Sequence, residues 1–135
     1  MAALEIHRIP ARETNYLWLV REPVRNAVAV VDPADAAPVA DTCAELGWTL
    51  THILNTHHHG DHTGGNLELK ERFGCTIVGP AADRDRIPGI DVAVGDGDRL
   101  ALGAESALVF DVPGHTRGHI AYWFGDARAL FIGDT

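Results

Sequence analysis

The sequence predicts an α+β fold in which sheet packs on sheet and helices lie outside. Three observations carry this expectation. Stretches with strand character outnumber those with helical spacing. Strand–helix–strand units occur, each helical stretch lying between two strands. The last two strands, Ile120–Phe124 and Ala129–Ile132, form a hairpin around Gly125-Asp126.

The elements follow in order. Leu4–Ile9 alternates apolar and polar residues, as a half-buried strand does. Tyr16–Val20 and Ala27–Val31 are denser apolar runs, separated by the turn Glu22-Pro23-Val24-Arg25-Asn26. Asp32-Pro33 stops the third strand. Asp35–Leu46 has helical spacing, with Val39, Cys43 and Leu46 on one face and Gly47 as the stop. Leu50–Asn55 is the next strand. Gly65–Phe73 is a second helix, with Leu69 and Phe73 one turn apart and Gly74 ending it. Cys75–Val78 is a short buried strand before Gly79-Pro80. Residues 81–97, rich in Asp, Arg, Pro and Gly, carry no clear periodicity. Arg99–Leu102 and Ala107–Val112 are strands, and Pro113–Gly118 is a loop.

A chain of 135 residues suits one domain, and 46% hydrophobic content suffices for a packed core. The formal charge of −8, from 19 acidic against 11 basic residues, argues against nucleic acid as a partner. No apolar run approaches the length of a membrane span, so no membrane partner is expected. The start, Met1-Ala2-Ala3-Leu4-Glu5-Ile6-His7-Arg8, does not read as a signal peptide. Cys43 and Cys75 form neither a metal-type pair nor a disulfide framework. They read as buried apolar residues of a cytoplasmic protein. Nothing in the chain fixes an oligomeric state.

The most informative stretch is Thr56-His57-His58-His59-Gly60-Asp61-His62. Four imidazoles and a carboxylate are concentrated behind a strand. Imidazole nitrogen and carboxylate oxygen are the donor set of a borderline-soft divalent metal such as zinc. An expression tag would lie at a terminus and hold only histidine. Two further segments qualify for the same centre. His115 sits in Val112-Pro113-Gly114-His115-Thr116-Arg117-Gly118-His119, a tight loop after a strand. Asp134, in Gly133-Asp134-Thr135, is open to two readings alone, a ligand or a turn aspartate. Each sits at the end of a predicted strand, where one site can assemble.

These pieces resemble the metallo-β-lactamase superfamily, and within it glyoxalase II, the hydroxyacylglutathione hydrolases. The resemblance rests on Thr56–Asn66, Pro113–Ile120 and Leu130–Thr135, with Asn15-Tyr16 and Val31-Asp32-Pro33 also fitting. The HxHxDH spacing marks the superfamily, and the histidine triplet followed by Gly64-Gly65-Asn66 points to glyoxalase II. The resemblance implies an αββα sandwich with two divalent metal ions, zinc first, with iron or manganese as alternatives. His57, His59 and His115 would hold one metal. Asp61 and His62 would hold the second, and Asp134 would bridge the two. Asp134 and Asp61 would also orient a metal-bridged hydroxide that attacks the thioester of S-lactoylglutathione, a small-molecule glutathione thioester, releasing glutathione and D-lactate. No serine or cysteine nucleophile is required.

His58 falls outside that ligand set, because alternate residues of an extended loop face opposite ways. His119 is open to two readings, a supporting hydrogen-bond partner of the ligand loop or a residue with no part in the site. His52 reads as packed or hydrogen-bonded, and His7 as unrelated. The family continues beyond the bridging aspartate, with the rest of its sandwich, a last histidine ligand and a helical glutathione-binding region. Residues 1–135 are therefore expected to be the N-terminal half of the fold, with little activity alone. The rival readings are a mononuclear-iron persulfide dioxygenase, another hydrolase of the same fold, and a non-catalytic metal-binding fragment.

Overall fold

The structure is a computed structural model. It describes residues 4–11, 15–33, 36–56, 65–81, 85, 87, 89–111, 120–125 and 129–131. Among these, the strands are β1 (Glu5–Ala11), β2 (Asn15–Glu22), β3 (Ala27–Val31), β4 (His52–Leu54), β5 (Thr76–Pro80), β6 (Val92–Val94), β7 (Arg99–Leu102), β8 (Glu105–Asp111), β9 (Ile120–Phe124) and β10 (Ala129–Phe131). The helices are α1 (Ala36–Leu46) and α2 (Asn66–Phe73).

Strands β1 to β6 form one sheet in chain order, and the second sheet runs β10-β9-β8-β7. β1, β2 and β3 pair antiparallel, as hairpin-linked strands do. β3, β4, β5 and β6 pair parallel. Parallel neighbours need crossovers, and α1 and α2 supply the first two. Ala27–Val31 is buried along its whole length, which is why it reads as an unbroken apolar run.

Two cores lie on the two faces of the larger sheet. Val20, Ala29, Val31, Leu54 and Val78 face Leu102, Val109, Tyr122 and Phe124 of the smaller sheet. Val28, Val30, Ile53 and Ile77 face Val39 and Cys43 of α1 and Leu69 of α2. The period of two along each strand thus sorts neighbouring residues between two apolar layers. The result is helix, sheet, sheet in that order, the sheet-on-sheet packing with outer helices expected from the sequence. Cys43 and Cys75 are both free and buried, also as expected.

The structure corrects the sequence reading at four places. Leu46 is 39% exposed instead of sharing the buried face of α1. Gly47 takes φ +71, and Trp48 N donates back to Cys43 O at 2.9 Å, so Trp48 packs on the core in its place. In β1, Ile6 stays 45% exposed, because β1 is the edge strand of the wider sheet. β5 runs on through Gly79-Pro80, and Pro80 lies beyond Val78, the last residue paired to β4. β6 lies in the stretch without periodicity. The Asp91 carboxylate accepts from Ile77 N at 2.9 Å and from Lys70 Nζ at 2.6 Å. Asp91 N donates to Ile77 O at 2.8 Å. These bonds to β5 and α2 hold the next residues in register beside β5.

Candidate metal centre

The strand directions bring the ends that matter to one edge of the sandwich. β3, β4 and β5 are parallel, so Val31, Leu54 and Val78 lie near their common C-terminal edge. In the smaller sheet, Asp111 pairs with Ile120 and Phe131 with Tyr122. The end of β8, the start of β9 and the end of β10 therefore share an edge. Ile120 N donates to Thr56 O at 2.8 Å, which joins the two edges. The chain thus leaves for 57–64 from Thr56, for 112–119 from Asp111 and for 132–135 from Phe131, all at one end of the molecule. His57, His58, His59, Asp61, His62, His115, His119 and Asp134 lie outside the described residues. Among the described residues, no group of three His, Cys, Asp or Glu side chains forms a metal cluster. The donor chemistry of those three segments, imidazole and carboxylate, fits a borderline divalent ion.

The described residues show how the segment before His57 is held. Asp32 follows β3 with φ 49, a left-handed conformation that Asp tolerates better than most residues. Its buried carboxylate accepts Thr56 N at 2.8 Å on one oxygen and Thr56 Oγ1 at 2.6 Å on the other. Asp32 N donates to Leu54 O at 3.0 Å. Asn55 N donates to Val78 O at 2.8 Å, continuing the β4–β5 ladder past the end of β4. The Tyr122 hydroxyl donates to Asn55 O at 2.6 Å from the other sheet. Backbone and side chain at 55–56 are therefore gripped from β3, β5 and β9.

The far end of the 57–64 stretch is tied to the same place. Asn66, at the start of α2, is fully buried, and its Nδ2 donates to Asn55 Oδ1 at 2.6 Å. Gly65 N donates to Pro33 O at 2.7 Å. Entry to and exit from the histidine-bearing stretch are thus bonded to each other and to the end of β3. Such a closed polar network in a buried setting fixes geometry, because every broken bond strands a desolvated group. Burial, and behind it the charge of Asp32, holds the Tyr122 phenol well above its usual range, so it remains a hydrogen-bond donor.

His52 behaves as expected from its place in a strand. Its Nδ1 lies 2.8 Å from Thr51 Oγ1, and burial pulls its pKa below the usual histidine value. His7 is exposed on β1. Sequence reasoning missed the part played by Asp32, Asn55, Asn66 and Tyr122. Asp32-Pro33 was legible as a strand stop and as a piece of the family resemblance, not as the partner of Thr56. A tyrosine within the apolar run Ile120–Phe124, directly behind a histidine loop, was the available signal for a buried hydroxyl with a task.

A two-sheet sandwich with helices on one face, and imidazole- and carboxylate-bearing segments leaving one edge, frames a candidate metal centre. The chain belongs to the metallo-beta-lactamase superfamily, whose family model matches residues 12–135. Membership implies a divalent-metal site. Among curated relatives, the hydroxyacylglutathione hydrolase of Methylococcus capsulatus is 61% identical over 132 residues, covering 98% of this chain and 52% of that protein. The hydroxyacylglutathione hydrolase of Rhodospirillum rubrum is 56% identical over 135 residues, covering 100% of this chain and 53% of that protein. The chain thus spans about half the length of the curated relatives it matches. Among solved structures, ETHE1 from Myxococcus xanthus superposes with a TM-score of 0.75 at 29% identity, over 90% of this chain and 54% of that one. The BLEG-1 B3 metallo-beta-lactamase superposes with a TM-score of 0.83 at 21% identity, over 95% of this chain and 71% of that one, and so speaks for the fold alone.

Proposed function

We propose that the protein is a hydroxyacylglutathione hydrolase, a thioesterase that cleaves S-(2-hydroxyacyl)glutathione, S-lactoylglutathione above all, to glutathione and a 2-hydroxy acid, D-lactate. The observation that carries this reading is the 61% identity, across nearly the whole chain, to a relative of that name. The delivery of all three motif segments to one edge of the sandwich supports it.

His57, His59 and His115 are assigned to one metal, Asp61 and His62 to a second, and Asp134 to both. Zinc suits this donor set best, ahead of iron or manganese. Bound, the pair supplies Lewis acidity and a nucleophile at neutral pH. Asp134 and Asp61, which when ionised can only accept, would take a hydrogen bond from the attacking group and fix its direction. The departing thiol has a pKa of about 8.5, so the chain needs no strong general acid for it. Residues 1–135 are assigned to the sandwich, and the groups that grip glutathione to the length of the relatives that they do not span. The two free, buried cysteines support a reducing, cytoplasmic setting.

The test is hydrolysis of S-lactoylglutathione by the zinc-loaded protein, read as thioester loss matched by free thiol. Activity is expected of the longer protein that contains residues 1–135, with little from these residues alone, and Asp134→Ala in the longer protein should lower kcat by about a hundredfold or more, as loss of orientation of a catalytic group does. Oxygen uptake with glutathione persulfide, with the thioester left intact, would overturn the assignment in favour of an iron dioxygenase.

A further inference from the structure

One hydroxyl in the core is not explained by packing. Tyr122 is fully buried in β9, among Val20, Leu54, Val109 and Phe124 of the inter-sheet core. A phenylalanine would fill the same space without bringing a polar group into it. The hydroxyl donates to Asn55 O at 2.6 Å, across the sandwich and 67 residues away in sequence. Two residues earlier, Ile120 N donates to Thr56 O at 2.8 Å. One strand therefore makes two successive bonds to the two residues that precede His57. That same strand begins directly after residues 112–119, which carry His115. Its first residues thus connect the two histidine-bearing segments through a rigid element.

We propose that Tyr122 is a positioning residue, whose bond to Asn55 O fixes the backbone that leads into His57 and so tunes metal affinity. The inference rests on the metal reading above. The ring touches no reacting atom, and its part is to hold the 55–56 backbone against β9. From β9, Ile120 N holds Thr56 O and the hydroxyl holds Asn55 O, beside the bonds that Asp32 and Val78 make to the same two residues. Metal sites lose affinity when ligand-orienting bonds are removed, typically by about 10–100-fold for partners of the ligands themselves. Tyr122 acts through Asn55, two residues before His57, which puts its effect at the low end, about 10-fold.

The experiment is Tyr122→Phe, compared with the parent and with Val109→Ala. Val109 lies in the same core and pairs with Tyr122 across β8 and β9, and its truncation should cost stability while leaving the Tyr122 hydroxyl and its bond to Asn55 O in place. Zinc affinity is measured by competition with a chromophoric chelator, the cobalt-loaded proteins are compared by their visible spectra, and metal-free stability is read by urea unfolding. Tyr122→Phe should weaken zinc binding about tenfold and alter the cobalt bands. Val109→Ala should be the less stable of the two yet bind zinc like the parent. Parent-like affinity and spectrum in Tyr122→Phe would overturn the inference, as would an equal loss of affinity in Val109→Ala. A parent that takes up no metal would overturn the metal reading, and this inference with it.

Discussion

Replacing Asp32 by alanine should cost the fold about 3–5 kcal/mol, from bonds that involve no catalytic group. The change removes the acceptor of Thr56 N at 2.8 Å and of Thr56 Oγ1 at 2.6 Å, all buried. A hydrogen bond to a charged group contributes about 1.5–3 kcal/mol, and a stranded buried donor costs about as much. The two bonds share one carboxylate, so their contributions overlap and do not simply add. Alanine in the left-handed backbone at φ 49 adds about 1 kcal/mol. Against a total stability of about 5–15 kcal/mol, the loss is a third or more for all but the most stable domains. Asp32→Asn keeps a neutral acceptor for Thr56 N and turns an amide toward Thr56 Oγ1, and Asn tolerates the same backbone. Charge assistance is lost and the Thr56 hydroxyl hydrogen loses its acceptor, but Thr56 N keeps one, so about 2 kcal/mol is expected. Urea unfolding of both variants, with midpoint and slope compared, reads the difference. An alanine variant within about 0.5 kcal/mol of the parent would refute the reasoning, since that is the range of an ordinary surface change. So would an asparagine variant as costly as the alanine one.

Gly103→Ala tests the end of the sandwich away from the metal centre. Gly103 has φ +59, and an added Cβ would overlap Glu22 Oε1, which accepts Ala104 N at 2.8 Å. A loss of about 2 kcal/mol or more is expected in thermal or urea unfolding. Acid stability should report Asp91, whose carboxyl is held below its usual value first by Lys70 and then by Ile77 N–H. A depressed carboxylate contributes stability above its unfolded pKa and loses it as pH falls through the folded one. Asp91→Asn should therefore trail the parent at neutral pH, by about 1 kcal/mol or less for so exposed an ion pair, with the gap closing below about pH 4. Metal content is the third test. The double variant His57→Ala, His59→Ala should lose bound metal in elemental analysis after dialysis, whereas His58→Ala should retain it. Unchanged stoichiometry in the double variant would sink the ligand assignment.

Much of the fold was legible because it is locally encoded. Ala27–Val31, Arg99–Leu102 and Ile120–Phe124 were bounded to the residue, since each is an apolar or alternating run closed by turn residues. α1 and α2 were legible from apolar spacing and from the glycines that end them, Gly47 and Gly74. β6 was not legible, because three residues amid Asp, Gly and Pro carry no period of their own. It exists through Asp91, whose bonds reach 14 residues back to Ile77 and 21 back to Lys70. At the candidate metal centre, the sequence proposes ligands that lie outside the described residues, while the groups that hold the adjoining 55–56 backbone were not legible.

By itself, then, the sequence determined where most strands and helices run and the family to which the chain belongs, and it proposes which residues would carry metal chemistry. These depend on side-chain type and on periods of two and 3.6 residues, properties of short stretches. Only the tertiary structure decided which polar groups answer one another. Asp32 meets Thr56 across 24 residues, Tyr122 meets Asn55 across 67, and Glu22 meets Ala104 across 82. A buried donor must find an acceptor somewhere, but its identity is set by which strand ends the two sheets bring together, and no local pattern in the chain records that.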